Sequence, residues 1–398
     1  MILTVGDLAR APNALAAAYS RFGVDRRLLL TGHSHQAWPD VARDGHLAAW
    51  DDAALAVDDK WERAFAQAGR VRHGYRQLLG DPHAEIALGT STHELLVRLL
   101  SAFDWRRRRR IVTTDGEFHT LRRQLARLEE EGIEIRREPA RDVETLARRL
   151  AAAVDERALA VFVSAVLFET AEIVPGLDEL AATCDRHGVP LVVDAYHALG
   201  VLPFRLEALG LESAYVVGGG YKYLQLGEGN AFLRLPPGAA PRPAITGWYA
   251  EFDELATRGA AGAVGYAPGA AGLAGATYDP TSHYRAARVF EFFVERGLTD
   301  AFLREVSQHQ IGLLGRRFDA LDLPASLVTR DRSRAVDRMA GFLALDSPRA
   351  GELRRALHAR GVLCDHRGRR LRLGPAPYLC DAQLETAVEI LADVARAL

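Results

Sequence analysis

Lys222 sits in the run GGGYKYLQLGEGN, residues 218–230, after three glycines and between two tyrosines. The chain carries 50 lysine and arginine residues, of which only Lys60 and Lys222 are lysine. Arginine replaces lysine on a solvated surface at little cost. It cannot replace it as an amine nucleophile, because a guanidinium stays protonated at any usable pH. Lys60, in DDKWER, lies among charges and reads as a solvated residue. Lys222 lies in a Gly/Tyr/Leu setting, where desolvation lowers the pKa of an amine and frees it to react. A second chemical group stands 28 residues earlier, where the apolar run VPLVVDAYHALG reaches Asp194 and then His197. An acid at the carboxyl end of a buried strand needs a cationic or hydrogen-bonding partner to offset its desolvation.

The elements that must position these groups are legible from residue 84 onward. EIALGTST leads into HELLVRLLSAF, IVTTDGEF into HTLRRQLARLEEEG, IEIRRE into VETLARRLAAAV, and LAVFVSAV into LDELAATCDRHG; VPLVVD, AYVVGGG and NAFLRL follow. Continuously apolar strands alternating with amphipathic helices predict a mostly parallel sheet covered on both faces. Such sheets bind ligands at the carboxyl ends of their strands, where Asp194 and Lys222 fall. Residues 236–280 are rich in Gly, Ala and Pro and read as long loops, of the kind that serve function or an interface. Two further helices follow. A smaller α+β segment then closes the chain with GFLALDS, AGELRRALHARG, the strand pair VLCDHRGRRLRLGPA and the helix DAQLETAVEILADVARAL.

Composition excludes several classes. A net charge of −2 gives no support to nucleic-acid or anionic-membrane binding, and the run WRRRRR reads as a solvated connector between a helix and a strand. No run of 18 apolar residues predicts a membrane span, and the N-terminus lacks a basic-then-apolar leader pattern. Three cysteines, Cys184, Cys364 and Cys380, make no disulfide framework, which fits a cytoplasmic, reducing setting. GGGYK lacks the Ser/Thr after the lysine of a nucleotide-binding P-loop, and no G-x-G-x-x-G turn supports a dinucleotide fold. His33-x-His35 has no further His/Cys/Asp cluster to complete a metal site, so no metal is expected.

An acid for a ring nitrogen and a lysine for an aldehyde are the two contacts that make pyridoxal phosphate an electron sink. The run DAYHALG, YVVGGGYKYL, NAF resembles the fold-type I pyridoxal-phosphate enzymes of the class V aminotransferase superfamily. Within it, Tyr221-Lys222-Tyr223-Leu224 and the Asp194-x-x-His197 spacing are most similar to kynureninases. The resemblance, over roughly residues 28–395, implies roles for named residues. Lys222, Asp194 and Tyr221 would be catalytic. Ser91 and Thr92 in GTSTHELL would hold the phosphate, with Tyr221 and with Trp248 and Thr277 supplied by a partner subunit. Phe118, or alternatively His119, would stack on the ring, with Ser164 and His197 close to it. Arg372, before a Pro-x-Pro, would bind the substrate carboxylate, with His33 and Ser34 at the substrate's side-chain end.

The sequence departs from that pattern in three places, one of them at Phe118, which runs on into His119-Thr120 where the family continues Phe-Pro-Ser/Thr-Asp. Gly32-His33-Ser34-His35-Gln36 stands where kynureninases carry Gly-Asn-Ser-Leu-Gly, and their Arg-Pro-Trp segment is not evident. The fold implied is a fold-type I homodimer with shared active sites. Residues 46–282 would form a large domain around a seven-stranded, mostly parallel sheet; 283–398, helped by 1–45, would form a small α+β domain. The implied activity is hydrolytic Cβ–Cγ cleavage of kynurenine or 3-hydroxykynurenine to alanine and an anthranilate-type acid, a step of tryptophan catabolism. A cysteine desulfurase, a β-lyase or an aminotransferase is the alternative, and Cys364, near Arg372, is either a strand residue or the thiol of such a reaction.

Overall fold

The computed structural model describes residues 3–254 and 264–398. Twelve strands are present among them: β1 Leu28–Leu29, β2 Glu85–Gly89, β3 Arg110–Thr114, β4 Glu134–Glu138, β5 Ala158–Ser164, β6 Leu191–Asp194, β7 Tyr215–Gly219, β8 Ala231–Leu235, β9 Leu343–Asp346, β10 Val362–Leu363, β11 Asp365–Arg367 and β12 Arg370–Leu373. Seven of them form the main sheet in the order β2-β8-β7-β6-β5-β3-β4. Neighbours run parallel except at β8, which is antiparallel to both β2 and β7. The expected seven-stranded, mostly parallel sheet is present, strand for strand.

The antiparallel insertion matters for the site. Because β8 reverses between them, β2 still points the same way as β3, β5, β6 and β7. The carboxyl ends of all these strands therefore share one edge of the sheet, and five of the connections that leave that edge reach one place. The strands themselves are dictated by burial. All seven residues of β5 and all five of β8 are buried, which selects apolar, β-branched or aromatic side chains throughout. The one charge inside β8, Arg234, is 2% exposed and is satisfied by Asp81 and by the carbonyls of Glu212 and Ala214.

Glycine is required after β7. A Cβ on Gly219 would lie 2.5 Å from the Tyr196 hydroxyl, and one on Gly220 would lie 2.3 Å from Leu226. The triple glycine thus lets the chain that carries Lys222 press against the loop that carries Tyr196 and His197.

The C-terminal part differs from the expectation in one respect. The expected strand pair over 362–373 is divided. β11 and β12 form a hairpin that joins β9 in a three-stranded antiparallel sheet, whereas β10 pairs in parallel with β1. That pairing ties Leu28–Leu29 to Val362–Leu363. The helix Thr281–Glu295 packs along the helices Val41–Ala56 and Lys60–Leu79. Two apolar clusters pack against the sheet, one running from Leu8 to Ala395 and holding Val161, Val163 and Val193, the other from Ala87 to Leu273 and holding Ala160, Phe162 and Val192. The long loops expected over 236–280 contain two short 3-10 turns, Trp248–Glu254 and Gly269–Leu273; 255–263 lie outside the described residues. No helix of the described residues is long and apolar enough to cross a membrane.

Phe232 of β8 is fully buried and its ring lies 4.2 Å from that of Tyr75. Phe232→Ala is expected to lower the unfolding free energy by about 3–5 kcal/mol, read from the urea midpoint at unchanged slope.

Candidate functional site

Five of the strands, β2, β3, β5, β6 and β7, bring chemical groups to the common edge. The loop after β2 brings Ser91 and Thr92 to the start of the helix Thr92–Ala102; β3 leads to Glu117 and Phe118; β5 ends on Ser164; β6 ends on Asp194, with Tyr196 and His197 following; β7 leads to Tyr221 and Lys222. All of these residues except Glu117 line one cavity of about 290 Å³, together with Phe168, Leu96 and Leu121. A larger and more apolar cleft of about 720 Å³, near Gly74, Phe290 and Phe293, holds no comparable cluster.

Lys222 is 5% exposed. Its Nζ lies 3.1 Å from Nε2 and 3.3 Å from Nδ1 of His197, and it faces the rings of Tyr196 at 4.6 Å, Phe118 at 5.1 Å and Tyr221 at 5.6 Å. It forms no ion pair among the described residues, although the Asp194 carboxylate is close enough to oppose the shift. Burial, aided by the Arg372 charge, pulls the amine down to about 7. An amine in that range is uncharged in a large fraction of molecules near neutrality, which a solvated lysine is not. Burial and the nearby lysine push His197 well below its ordinary value, so its imidazole is neutral.

Asp194 is raised by burial, against the Tyr196 N–H that its Oδ1 accepts at 2.8 Å and the attraction of Lys222. No hydrogen bond reaches its Oδ2 among the described residues. Tyr221 stacks on the exposed His35 at 4.9 Å and contacts Tyr196 at 4.8 Å. At the other end of the cavity, Ser91 caps its helix by accepting the Glu94 N–H at 3.3 Å. Its hydroxyl proton, the Thr92 hydroxyl and the first backbone N–H groups of the helix remain for an anion.

Phe118 and His119 take different positions in the structure. Phe118 lines the cavity, whereas His119 is exposed and bonds to Arg122 at 3.1 Å. Phe118 is the N-cap of the helix His119–Glu130. Its ring therefore points to the sheet edge, while the following residue turns outward.

Three expected substrate residues take other partners. None of Arg372, His33 and Ser34 lines the cavity around Lys222. Arg372, 3% exposed, gives Nε at 2.8 Å and Nη2 to the carboxylate of Asp365, and Nη1 at 2.5 Å to the Phe168 carbonyl. His33 Nε2 lies 2.7 Å from the same Asp365 carboxylate, and burial brings its imidazole down to about 4 against that attraction. The Phe342 ring borders both histidines, 4.7 Å from that of His33 and 6.4 Å from that of His197. Burial alone would raise Asp365, but His33 and Arg372 together hold it well below the carboxylate range. A guanidinium has five N–H donors, so two on Arg372 remain for another acceptor. Ser34 Oγ contacts His35 Nδ1 at 3.1 Å.

Trp248 and Thr277 are exposed and do not line the cavity of their own chain. The three cysteines are buried, and burial pushes the thiols of Cys184 and Cys364 up to about 12. Among the described residues no group of three His, Cys, Asp or Glu side chains could hold a metal ion. Sequence reasoning missed Glu117, Tyr196, Phe168 and Asp365. Glu117 and Tyr196 each lay one residue from a named position, without any spacing signal of their own.

No protein-family model matches the chain, and no curated protein matches it. Solved structures do resemble it. A cystine C–S lyase in complex with its reaction product cysteine persulfide superposes with a TM-score of 0.82 at 19% identity, over 93% of this chain and 98% of that one. The apo cysteine desulfurase from Thermococcus onnurineus NA1 gives 0.78 at 16% identity, over 100% of both chains. The cysteine desulfurase CsdA from Escherichia coli gives 0.80 at 15% identity, over 98% and 99%. The chain therefore has the fold-type I architecture that the motif resemblance implies.

Asp365→Asn is expected to remove about 3–5 kcal/mol of unfolding free energy at pH 7, because it leaves Arg372 buried without its counter-charge. The native carboxyl is held below its ordinary value of 3.8. Its contribution is thus complete above that pH and is lost as the pH falls below it. Denaturation of both proteins at a series of pH values checks both the size and the direction.

Proposed function

We propose that the chain is a pyridoxal-phosphate enzyme that acts on an amino acid and breaks a bond at its Cβ. The observation that carries this reading is the buried Lys222 amine, brought down to about 7, at the strand ends where Asp194 also lies. The residues present fit the cofactor. Lys222 is the only lysine of the cavity and is not tied up in an ion pair. Asp194 has an oxygen without a partner for a ring N–H, Phe118 offers a ring face, and Ser91 and Thr92 begin a helix suited to a phosphate.

When bound, pyridoxal phosphate supplies an aldehyde that takes up amines and a ring that draws electrons from the bonds at Cα. The chain's own residues do the rest. Lys222 Nζ takes and returns the proton at Cα, for which an amine titrating near neutrality is well matched. Neutral His197 accepts from that amine and orients it. Asp194 keeps the ring nitrogen protonated. The two remaining N–H groups of Arg372, held by Asp365, meet the substrate carboxylate. Tyr221 and Phe118 exclude water above the reacting carbons.

The finer reading is kynureninase-like hydrolytic Cβ–Cγ cleavage, supported by the order of the motifs from Ser91 to Arg372. A second reading, elimination of sulfur from a C–S substrate, is favoured by one observation. With Cys184 and Cys364 buried and raised to about 12, and Cys380 buried, no described thiolate stands ready to take sulfur from a substrate. Sulfur would then leave as product, as the solved C–S lyase's product, cysteine persulfide, illustrates for that enzyme. Two chains would share each site, with exposed Trp248 and Thr277 reaching the partner's phosphate.

Borohydride reduction of the cofactor-loaded protein, followed by peptide mapping, should leave the pyridoxyl mass on Lys222; a label on Lys60, or none, overturns the assignment. Product analysis separates the branches. Alanine with anthranilate from kynurenine supports C–C hydrolysis, whereas pyruvate with ammonia from cystine supports elimination. Lys222→Arg should abolish either turnover by at least about 10³-fold.

A further inference from the structure

Glu117 is a carboxyl that the mechanism above does not use. It is 2% exposed. Its Oε2 accepts the Ser164 hydroxyl at 2.6 Å, and its Oε1 accepts the Thr114 hydroxyl at 2.7 Å and the Ser164 backbone N–H at 3.2 Å. No cation pairs with it among the described residues. Thr114 ends β3 and Ser164 ends β5, so the carboxyl is clamped across two strand ends directly behind the cavity wall. Ser164 is paired in register with Asp194 of β6 and itself lines the cavity.

We propose that Glu117 is a positioning residue of this site: its proton decides which way the Ser164 hydroxyl points and how much negative charge stands beside Asp194. The proposal rests on the pyridoxal-phosphate reading only for what fills the cavity. Its logic is hydrogen-bond arithmetic. A hydroxyl has one proton. With Glu117 ionised, Ser164 gives that proton to Oε2 and offers the cavity only lone pairs. With Glu117 protonated, the carboxyl donates to Ser164, and the hydroxyl proton turns to an acceptor in the cavity.

The groups around Glu117 place the switch near neutrality. Burial is the dominant influence, the Asp194 charge adds to it, and the hydroxyls of Ser164 and Thr114 oppose it, which brings Glu117 up to about 7. Thr114 and Ser164 face it with neutral groups, and Asp194 is the charged side chain facing it. Lys222 faces Asp194 rather than Glu117, and His197 beside that amine is neutral. Two carboxyls behind one wall, only one of them with a lysine nearby, do not both ionise readily.

Glu117→Gln keeps the shape of the protonated acid and removes its titration. The first readout is the apo chain. Below the ordinary carboxyl value of 4.5 both states hold the proton; between 4.5 and about 7 only the folded state keeps it, so the native protein loses stability as the pH rises. The melting temperature of Glu117→Gln minus that of the native chain should therefore climb across this window and level off above it. Ser164→Ala, which leaves Glu117 able to titrate, should retain the native slope.

The second readout is the holoenzyme, where the pH midpoint of the cofactor's visible band should move down by roughly one unit in Glu117→Gln, because a nearby negative charge is gone. A difference in melting temperature that stays constant from pH 4.5 to 7 overturns the proposal, as does an unmoved visible midpoint in a variant whose borohydride label still maps to Lys222. If the label is absent from Lys222, the cofactor reading falls, and the apo titration alone decides the role of Glu117.

Discussion

The site depends on stripping water from one amine. A solvated lysine is protonated at neutral pH and inert as a nucleophile or base. Lys222 is enclosed by Tyr196, Phe118, Tyr221 and His197, and what remains of its charge is opposed mainly by Asp194. Three aromatic rings and a neutral imidazole supply enclosure without a strong counter-charge. A carboxylate in direct contact with Nζ would have held the amine protonated. Asp194 instead stands far enough away to attract without forming an ion pair, and keeps an oxygen free.

That arrangement is affordable only because the neighbouring charges are balanced among themselves. Arg372 would otherwise bring an unpaired cation behind His197. Asp365 takes up two sides of its guanidinium, and the Phe168 carbonyl takes a third N–H. His33 shares Asp365 and stays neutral. The layer behind the cavity is therefore oriented, and Asp365 offsets part of the Arg372 charge that still acts on Lys222 and His197. The same clamp fixes the Arg372 side chain in one geometry.

The sheet explains how such distant residues converge. Six strands point one way, and β8 reverses between β2 and β7 without disturbing that direction. Hydroxyls, rings, acids and the lysine thus leave from one edge. The solved C–S lyase and desulfurases share this architecture at under 20% identity. A common strand layout with differing loop residues is the expected outcome when the frame is kept by burial and the chemistry by a few side chains at strand ends.

Much of this was legible in the sequence, and for a physical reason: patterns that repeat along the chain are set by local burial. Apolar strands alternating with amphipathic helices identified all seven strands of the main sheet. The choice of lysine at 222, in a chain that otherwise writes arginine at all but one cationic position, marked the amine that the structure buries at the strand ends. Asp194 and Phe118 followed from their strand ends. What only the tertiary structure decided involves contacts between segments far apart in sequence, which carry no period. The pairing of β1 with β10 divided an expected hairpin. Asp365 met Arg372 and His33, 332 residues away from the latter. Glu117 was one residue from a named position, yet nothing in GEF reports that Ser164, 47 residues on, closes over its carboxyl. Burial patterns are written residue by residue; the partner of a buried charge is chosen only when the strands come together.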